Sequence, residues 1–164
     1  MAIMNPTELL RDFSQAIAVE GIPVPEITHS LFTAGSAHQK CQRGLPQGMH
    51  LVYVFSLGQA FGSTCPAGPH RALRVGKATS VGRLTQNYIH YPSAKALPSK
   101  LSTYRILWPL IGLAHVGPAM GTNWTNWIES NLDRDQFEIP VGNVAVVSWL
   151  EKYIRARVSP IFEG

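Results

Sequence analysis

A single carboxylate near the end of the chain, Glu151, lies where an apolar side chain is expected. Apolar residues recur at helical spacing in this segment: Val144, Val147, Leu150, Ile154 and Val158. Glu151 falls inside the same arc of the helical wheel. It must therefore be hydrogen-bonded, paired or bound to a metal ion, because an unpaired buried charge is very costly. The alternative is a surface ion pair with Arg155, four residues further along the helix.

The basic residues form a second pattern, because the net charge of +4 is unevenly distributed. No Asp or Glu occurs between Ile27 and Ile128, whereas nine basic residues do: Lys40, Arg43, Arg71, Arg74, Lys77, Arg83, Lys95, Lys100 and Arg105. Such a stretch favours a polyanionic partner, since each neutralised phosphate releases counterions. We expect nucleic acid as the partner. The alternative is a basic surface that serves only solubility.

Several common catalytic motifs do not match the sequence. A phosphate-binding loop ending at Gly76-Lys77 needs Gly five residues earlier and Ser or Thr directly after, where the chain has Arg71 and Ala78. Neither a G-x-S-x-G elbow nor a Ser-His-Asp order is present. The six histidines and two cysteines are scattered without zinc-site spacing. NTPase, serine-hydrolase and zinc-enzyme functions are therefore not indicated.

A set of spaced elements does match a known pattern. The strand-like segments LVYVF (51–55) and LRVGKA (73–78) are followed by Arg83 and, five residues later, Tyr88. Glu151 comes near the end, with Pro160 nine residues after it. In this order the elements resemble the GIY-YIG nuclease superfamily, including the N-terminal nuclease module of the bacterial excision-repair endonuclease. The resemblance covers roughly residues 50–164.

The resemblance implies a divalent-metal-dependent endonuclease that hydrolyses phosphodiester bonds in DNA. Tyr53 would orient or deprotonate the attacking water, and Arg83 would steady the scissile phosphate. Glu151 would hold one Mg²⁺ or Mn²⁺ ion, a hard cation suited to a carboxylate, waters and phosphate. A further catalytic position falls on one of three neighbouring residues: Tyr88, or else Asn87 or His90. Without the family pattern, Tyr53 is equally a packed strand tyrosine, and Arg83 an exposed helix arginine.

The resemblance also implies a nucleic-acid-binding set and two departures from the family pattern. The binding residues would be Arg74, Lys77, Lys95 and Lys100. Arg74 stands in place of the family's second Tyr, and Glu163 in place of its terminal Asn. These changes are compatible with retained phosphate and metal contacts or with lost cleavage. The alternative function is therefore a catalytically inactive nuclease-like domain that binds nucleic acid or a protein partner. A toxin or defence effector would use the same chemistry.

The elements that must position these residues indicate an α+β fold. Helices are predicted over residues 7–19 with Thr7 as N-cap, 80–90, 93–102, 123–132 and 143–157. Strands are predicted over 50–57, 72–77 and 136–141, while residues 27–48 look irregular. We expect a small, mostly antiparallel three-stranded sheet flanked by helices, as in the GIY-YIG fold. Trp124, Trp127 and Trp149 are expected in the core rather than as base-stacking platforms.

The chain is expected to consist of an N-terminal helix and loop extension, residues 1–48, and a GIY-YIG-like nuclease domain, residues 49–164. No signal peptide is recognisable, and the longest apolar run is too short to cross a bilayer. We therefore expect a cytoplasmic protein that does not bind membranes.

Overall fold

The computed structural model of the protein describes residues 5–35, 46–58, 71–80, 97–103, 108–109 and 123–162. Within these residues four strands form one sheet: β1 (Thr28–Phe32), β2 (Met49–Leu57), β3 (Ala72–Ala78) and β4 (Leu132–Pro140). Their order across the sheet is β1-β4-β2-β3, and each neighbouring pair is antiparallel. The predicted α+β architecture is confirmed, with four strands instead of three.

Four helices accompany the sheet: α1 (Pro6–Val19), α2 (Leu97–Thr103), α3 (Trp124–Asn131) and α4 (Val144–Val158). The first begins one residue earlier than predicted, because the Asn5 side chain accepts hydrogen bonds from the backbone N–H groups of Thr7 and Glu8. Thr7 is therefore not its N-cap, and Pro6 occupies the first turn, where no backbone donor is needed. The helix predicted over 80–90 falls almost entirely outside the described residues. None of the helices that the structure describes is long and apolar enough to span a membrane.

The sheet is buried on both faces, which explains why β2 is almost continuously apolar. One face, called here the Tyr53 face, carries alternate β2 residues that share a core cluster with α2 and α3: Leu51, Tyr53, Phe55 and Leu57. The other face, called the α4 face, carries Val52 and Val54, which share a second cluster with α1 and α4. The two faces place the candidate site residues on different sides of the sheet.

One strand was not predicted. Residues 28–32 were expected to be irregular, but β1 pairs along its length with β4, with His29 opposite Phe137. This segment lies at the sheet edge and lacks a clear apolar alternation, so its strand structure depends on pairing with a distant partner. A contact of 2.7 Å between His29 Nε2 and Asp135 Oδ1 joins the same two strands. The division of the chain at residue 48 stays a prediction, although α1 and β1 both contact the elements that follow.

The end of the described chain lies along β3. After α4 ends at Val158, the backbone N–H of Ile161 donates to Ala72 O at 3.1 Å and that of Phe162 to Leu73 O at 2.8 Å. A parallel bridge joins Phe162 to Arg74. These contacts hold the C-terminal half of α4 against the strand that carries the VGKA sequence.

Candidate functional site

The carboxylate of Glu151 contacts two cations. Its Oε1 lies 3.0 Å from Arg155 Nη2 and its Oε2 lies 3.5 Å from Lys77 Nζ. The Glu151 side chain is 15% exposed, so this is a partly buried group. The pair with Arg155, expected as the alternative to a metal site, is present, and Lys77 adds a second positive charge. The carboxylate inside the apolar stripe is therefore satisfied by neighbouring basic groups.

Lys77 reaches this carboxylate from β3. It pairs across the sheet with Val52, which places both residues on the α4 face. Its Nζ also lies 2.8 Å from Ser148 Oγ, and its side chain remains 39% exposed. The ammonium is thus held by two residues of α4 and is still accessible to an anion from solvent. Ser148 was not among the predicted site residues, although it lies three residues before Glu151 on the same flank of α4.

Arg155 ties α4 to the strand. The same Nη2 that contacts Glu151 donates to the backbone oxygen of Val75 at 3.2 Å. Its Nε is buried and makes no hydrogen bond within the part of the chain that the structure describes. The group formed by Glu151, Lys77, Arg155 and Ser148 is called here the Glu151 cluster, and it carries a net charge of +1 with both basic side chains protonated.

Tyr53 approaches the same strand from the opposite face. Its ring is 3% exposed and lies against the backbone of Gly76, its cross-strand partner, between Val75 and Lys77. A methyl group added at Gly76 would lie 2.5 Å from the Tyr53 hydroxyl oxygen. The tyrosine and the Glu151 cluster therefore meet β3 at neighbouring residues, but on different faces. The burial agrees with the packed-tyrosine alternative, while a role in orienting water stays a prediction.

The predicted nucleic-acid-binding residues are only partly brought together. Arg74 lies on the Tyr53 face opposite Phe55 and is only 9% exposed, away from the Glu151 cluster. Its Nε and Nη1 are buried and form no hydrogen bonds among the described residues. Lys100 lies on the short helix α2. Five predicted or alternative residues and one departure lie outside the described residues: Arg83, Tyr88, Lys95, Asn87, His90 and Glu163.

The tryptophans follow the core expectation in part. Trp124 and Trp127 pack against the core cluster of the Tyr53 face, with their ring centroids 6.0 Å apart. Trp149 is instead exposed on α4, with 38% of its surface accessible. Its placement in the core was wrong, because its position on the helix points away from the sheet.

The chemistry of the donor set limits which metal ion the cluster can hold. Residues 5–35, 46–58, 71–80, 97–103, 108–109 and 123–162 contain no group of three or more Asp, Glu, His or Cys side chains able to share an ion. A multi-carboxylate cage is thus not formed by these residues. A single carboxylate with solvent access does fit Mg²⁺ or Mn²⁺ when waters and phosphate oxygens complete the coordination. Glu151 is the residue that would hold such an ion.

Comparison with known proteins returned no match for this chain, whether against protein-family models, curated proteins or solved structures.

Proposed function

We propose that the protein is a divalent-metal-dependent endonuclease with a GIY-YIG-like fold that hydrolyses phosphodiester bonds in DNA. The observation that carries this proposal is the proximity of Lys77 and Glu151, 3.5 Å apart in a partly buried and solvent-accessible cluster. The two residues come from the VGKA strand and the late helix of the family pattern. Their contact is consistent with the shared site that this pattern implies.

The cluster offers both signs of charge that a phosphodiester site needs. Lys77 presents an accessible ammonium that can bind a phosphate oxygen as a point charge. Glu151 would hold a single Mg²⁺ or Mn²⁺ ion, which when bound lowers the pKa of coordinated water and stabilises negative charge on phosphate. Arg83, with Tyr88, would steady the phosphate as its charge develops. We do not assign Tyr53 to this site, because it is buried on the opposite face of the sheet from the Glu151 cluster.

The charge distribution supports DNA as the substrate. The central segment, residues 27–128, contributes nine positive charges and no negative ones. Lys77 belongs to it, and we propose that Lys95 and Lys100 extend the contact along the backbone. Arg74 is buried on the Tyr53 face and is not placed to join Lys77. The acidic residues of the chain lie outside this segment in sequence. The fold brings some of them close to it, because β4 pairs with β2 and Glu151 of α4 contacts Lys77.

A plasmid-nicking assay with Mg²⁺ or Mn²⁺ tests the proposal. Glu151→Gln removes the charge of the carboxylate with little change in shape, and we expect the nicking rate to fall at least about a hundredfold, the scale on which single catalytic groups act. Glu26→Gln, which removes an exposed carboxylate outside the cluster, is the matched control and should nick like wild type. Absence of nicking by the wild type with either metal, or equal rates in wild type and Glu151→Gln, would refute the proposal.

A second candidate is a domain that binds nucleic acid or a protein partner without cleaving it. The observation that favours it is that both carboxylate oxygens of Glu151 already face cations. In that case the cluster is an ion-pair network that fastens α4 to β3. This candidate predicts salt-sensitive DNA binding that the Glu151→Gln variant retains. Arg83→Ala should weaken this binding equally for all DNA sequences, and no divalent metal should produce cleavage.

A further inference from the structure

The two cations at Glu151 are anchored differently. Arg155 belongs to the same helix, bonds Oε1 at 3.0 Å and also donates to the Val75 backbone oxygen at 3.2 Å. Lys77 lies 3.5 Å from Oε2, beyond the usual range of a hydrogen bond, and its short contact is instead with Ser148. Lys77 is also the more exposed of the two, 39% against 28%. It is therefore the cation that can leave the carboxylate more easily.

The position of Lys77 has a direct effect on any ion that binds Glu151. An ammonium and a divalent cation repel each other. Oε1 of Glu151 is occupied by the short contact with Arg155, so a divalent ion has easier access to Oε2, where Lys77 lies 3.5 Å away. A divalent ion that approaches this oxygen has to displace Lys77. The flexible four-carbon side chain of lysine allows such a movement, whereas the guanidinium of Arg155 is held by two acceptors.

We propose that Lys77 hinders binding of a divalent ion to Glu151 in the free protein and moves to a phosphate oxygen when nucleic acid binds. The divalent ion and the nucleic acid would then bind cooperatively. This inference rests on the proposed function. A phosphate provides Lys77 with a new anionic partner, and at the same time it adds oxygen ligands for the ion. Because coupling between two ligands is reciprocal, the ion must tighten nucleic-acid binding by the same factor.

Ser148 is a positioning residue in this arrangement. Its hydroxyl oxygen holds the Lys77 ammonium at 2.8 Å, beside the carboxylate rather than away from it. Loss of this hydroxyl leaves every charge in place but no longer holds the Lys77 ammonium beside Glu151. The Ser148→Ala variant should therefore also weaken the hindrance of metal binding by Lys77, without changing the net charge of the protein.

Binding of Mn²⁺, measured by the loss of the free-ion electron paramagnetic resonance signal, tests the inference. The titration uses wild type, Lys77→Gln, Ser148→Ala and Glu151→Gln, each alone and with a phosphorothioate duplex that resists hydrolysis. A methylphosphonate duplex, which lacks backbone charge, is the control for the ligand. Lys152→Gln is the control for the protein, because Lys152 is an exposed lysine adjacent to Glu151 in sequence. Circular dichroism establishes that each variant is folded.

We expect the charged duplex to tighten Mn²⁺ binding to wild type by about tenfold or more, within the usual range of coupling between sites. Without DNA, Lys77→Gln should bind Mn²⁺ about tenfold more tightly than wild type, and the charged duplex should raise its Mn²⁺ affinity by a smaller factor. Ser148→Ala should shift both quantities in the same direction, and Lys152→Gln should resemble wild type. Mn²⁺ binding that depends on Glu151 but is changed neither by the charged duplex nor by Lys77→Gln would refute the proposed role of Lys77. The proposed nuclease function would be unaffected by that result. Failure to find any Glu151-dependent Mn²⁺ binding, even in Lys77→Gln with the charged duplex, overturns both.

Discussion

The contact between Tyr53 and Gly76 makes a sharp prediction about Gly76→Ala. The new methyl group would lie 2.5 Å from the tyrosine hydroxyl oxygen, 2.6 Å from Cζ and 2.9 Å from Cε2. Ordinary contacts between such atoms are about 3.5–4.0 Å, so the ring must retreat by roughly 1 Å. The ring is buried and has Phe55 as an edge-on neighbour at 5.7 Å, which leaves it little room to move.

The expected magnitude follows from two opposing contributions. Overpacking a core costs about 1–3 kcal/mol. Replacing a strand glycine by alanine returns about 0.4–1 kcal/mol, because the unfolded chain loses conformational freedom. We therefore expect Gly76→Ala to lower the free energy of unfolding by about 1–2 kcal/mol, which for a domain of this size lowers Tm by about 2–4 °C per kcal/mol.

Urea and thermal unfolding of four proteins measure this coupling: wild type, Gly76→Ala, Tyr53→Leu and the double variant. Leucine lacks the ring atoms that the methyl group meets, so in the Tyr53→Leu background the same alanine should be neutral or stabilising. The sign of the Gly76→Ala effect thus depends on residue 53. An unchanged Tm in Gly76→Ala, or an equal loss of stability in both backgrounds, would show that the ring does not rest on this glycine.

Three further predictions concern stability and are measured by thermal unfolding. Arg74→Met should raise the free energy of unfolding by about 1–3 kcal/mol, because an apolar chain replaces a buried guanidinium whose Nε and Nη1 make no hydrogen bonds among the described residues; a lower Tm would mean that Arg74 is well satisfied. Asn5→Ala should lower it by about 1 kcal/mol through loss of the α1 cap, whereas Asn5→Asp should not. Ser159→Gly should raise it by roughly 1 kcal/mol, since Ser159 has a left-handed backbone with φ of 44°; no gain would show that this conformation carries no strain.

The sequence predicted the central strands and the last helix well because their signals are local. β2 and β3 are apolar runs bounded by polar or turn residues, and α4 follows an apolar stripe that begins after Asn143. β1 carries no comparable signal, and its hydrogen bonds come from β4, far along the chain. The predicted start of β4 at residue 136 was also late, because the polar residues Asp133 and Arg134 hid a strand that begins at Leu132.

The candidate site was predicted in its members more than in its geometry. The wheel of α4 placed Glu151 among apolar residues and allowed its contact with Arg155, which the structure contains. It placed Ser148 on the same flank of α4 but did not predict its contact with Lys77, or that of Arg155 with the Val75 backbone oxygen, because those contacts depend on how α4 lies across β3. Strand alternation placed Tyr53 on one face of the sheet, but only the packing of α4 reveals that Glu151 approaches from the other.

The strand order also governs when this protein can fold during its synthesis. β1 has β4 as its strand neighbour within the described sheet, and β2 lies between β3 and β4. Roughly a hundred residues separate β1 from β4, which a ribosome adds in about 5–20 s. Throughout that interval β1 lacks the strand it pairs with, and β2, once it has been synthesised, presents the edge that later pairs with β4. We therefore expect the sheet to be completed late, and the yield of folded protein to depend on the rate of translation and on chaperones that shield these edges.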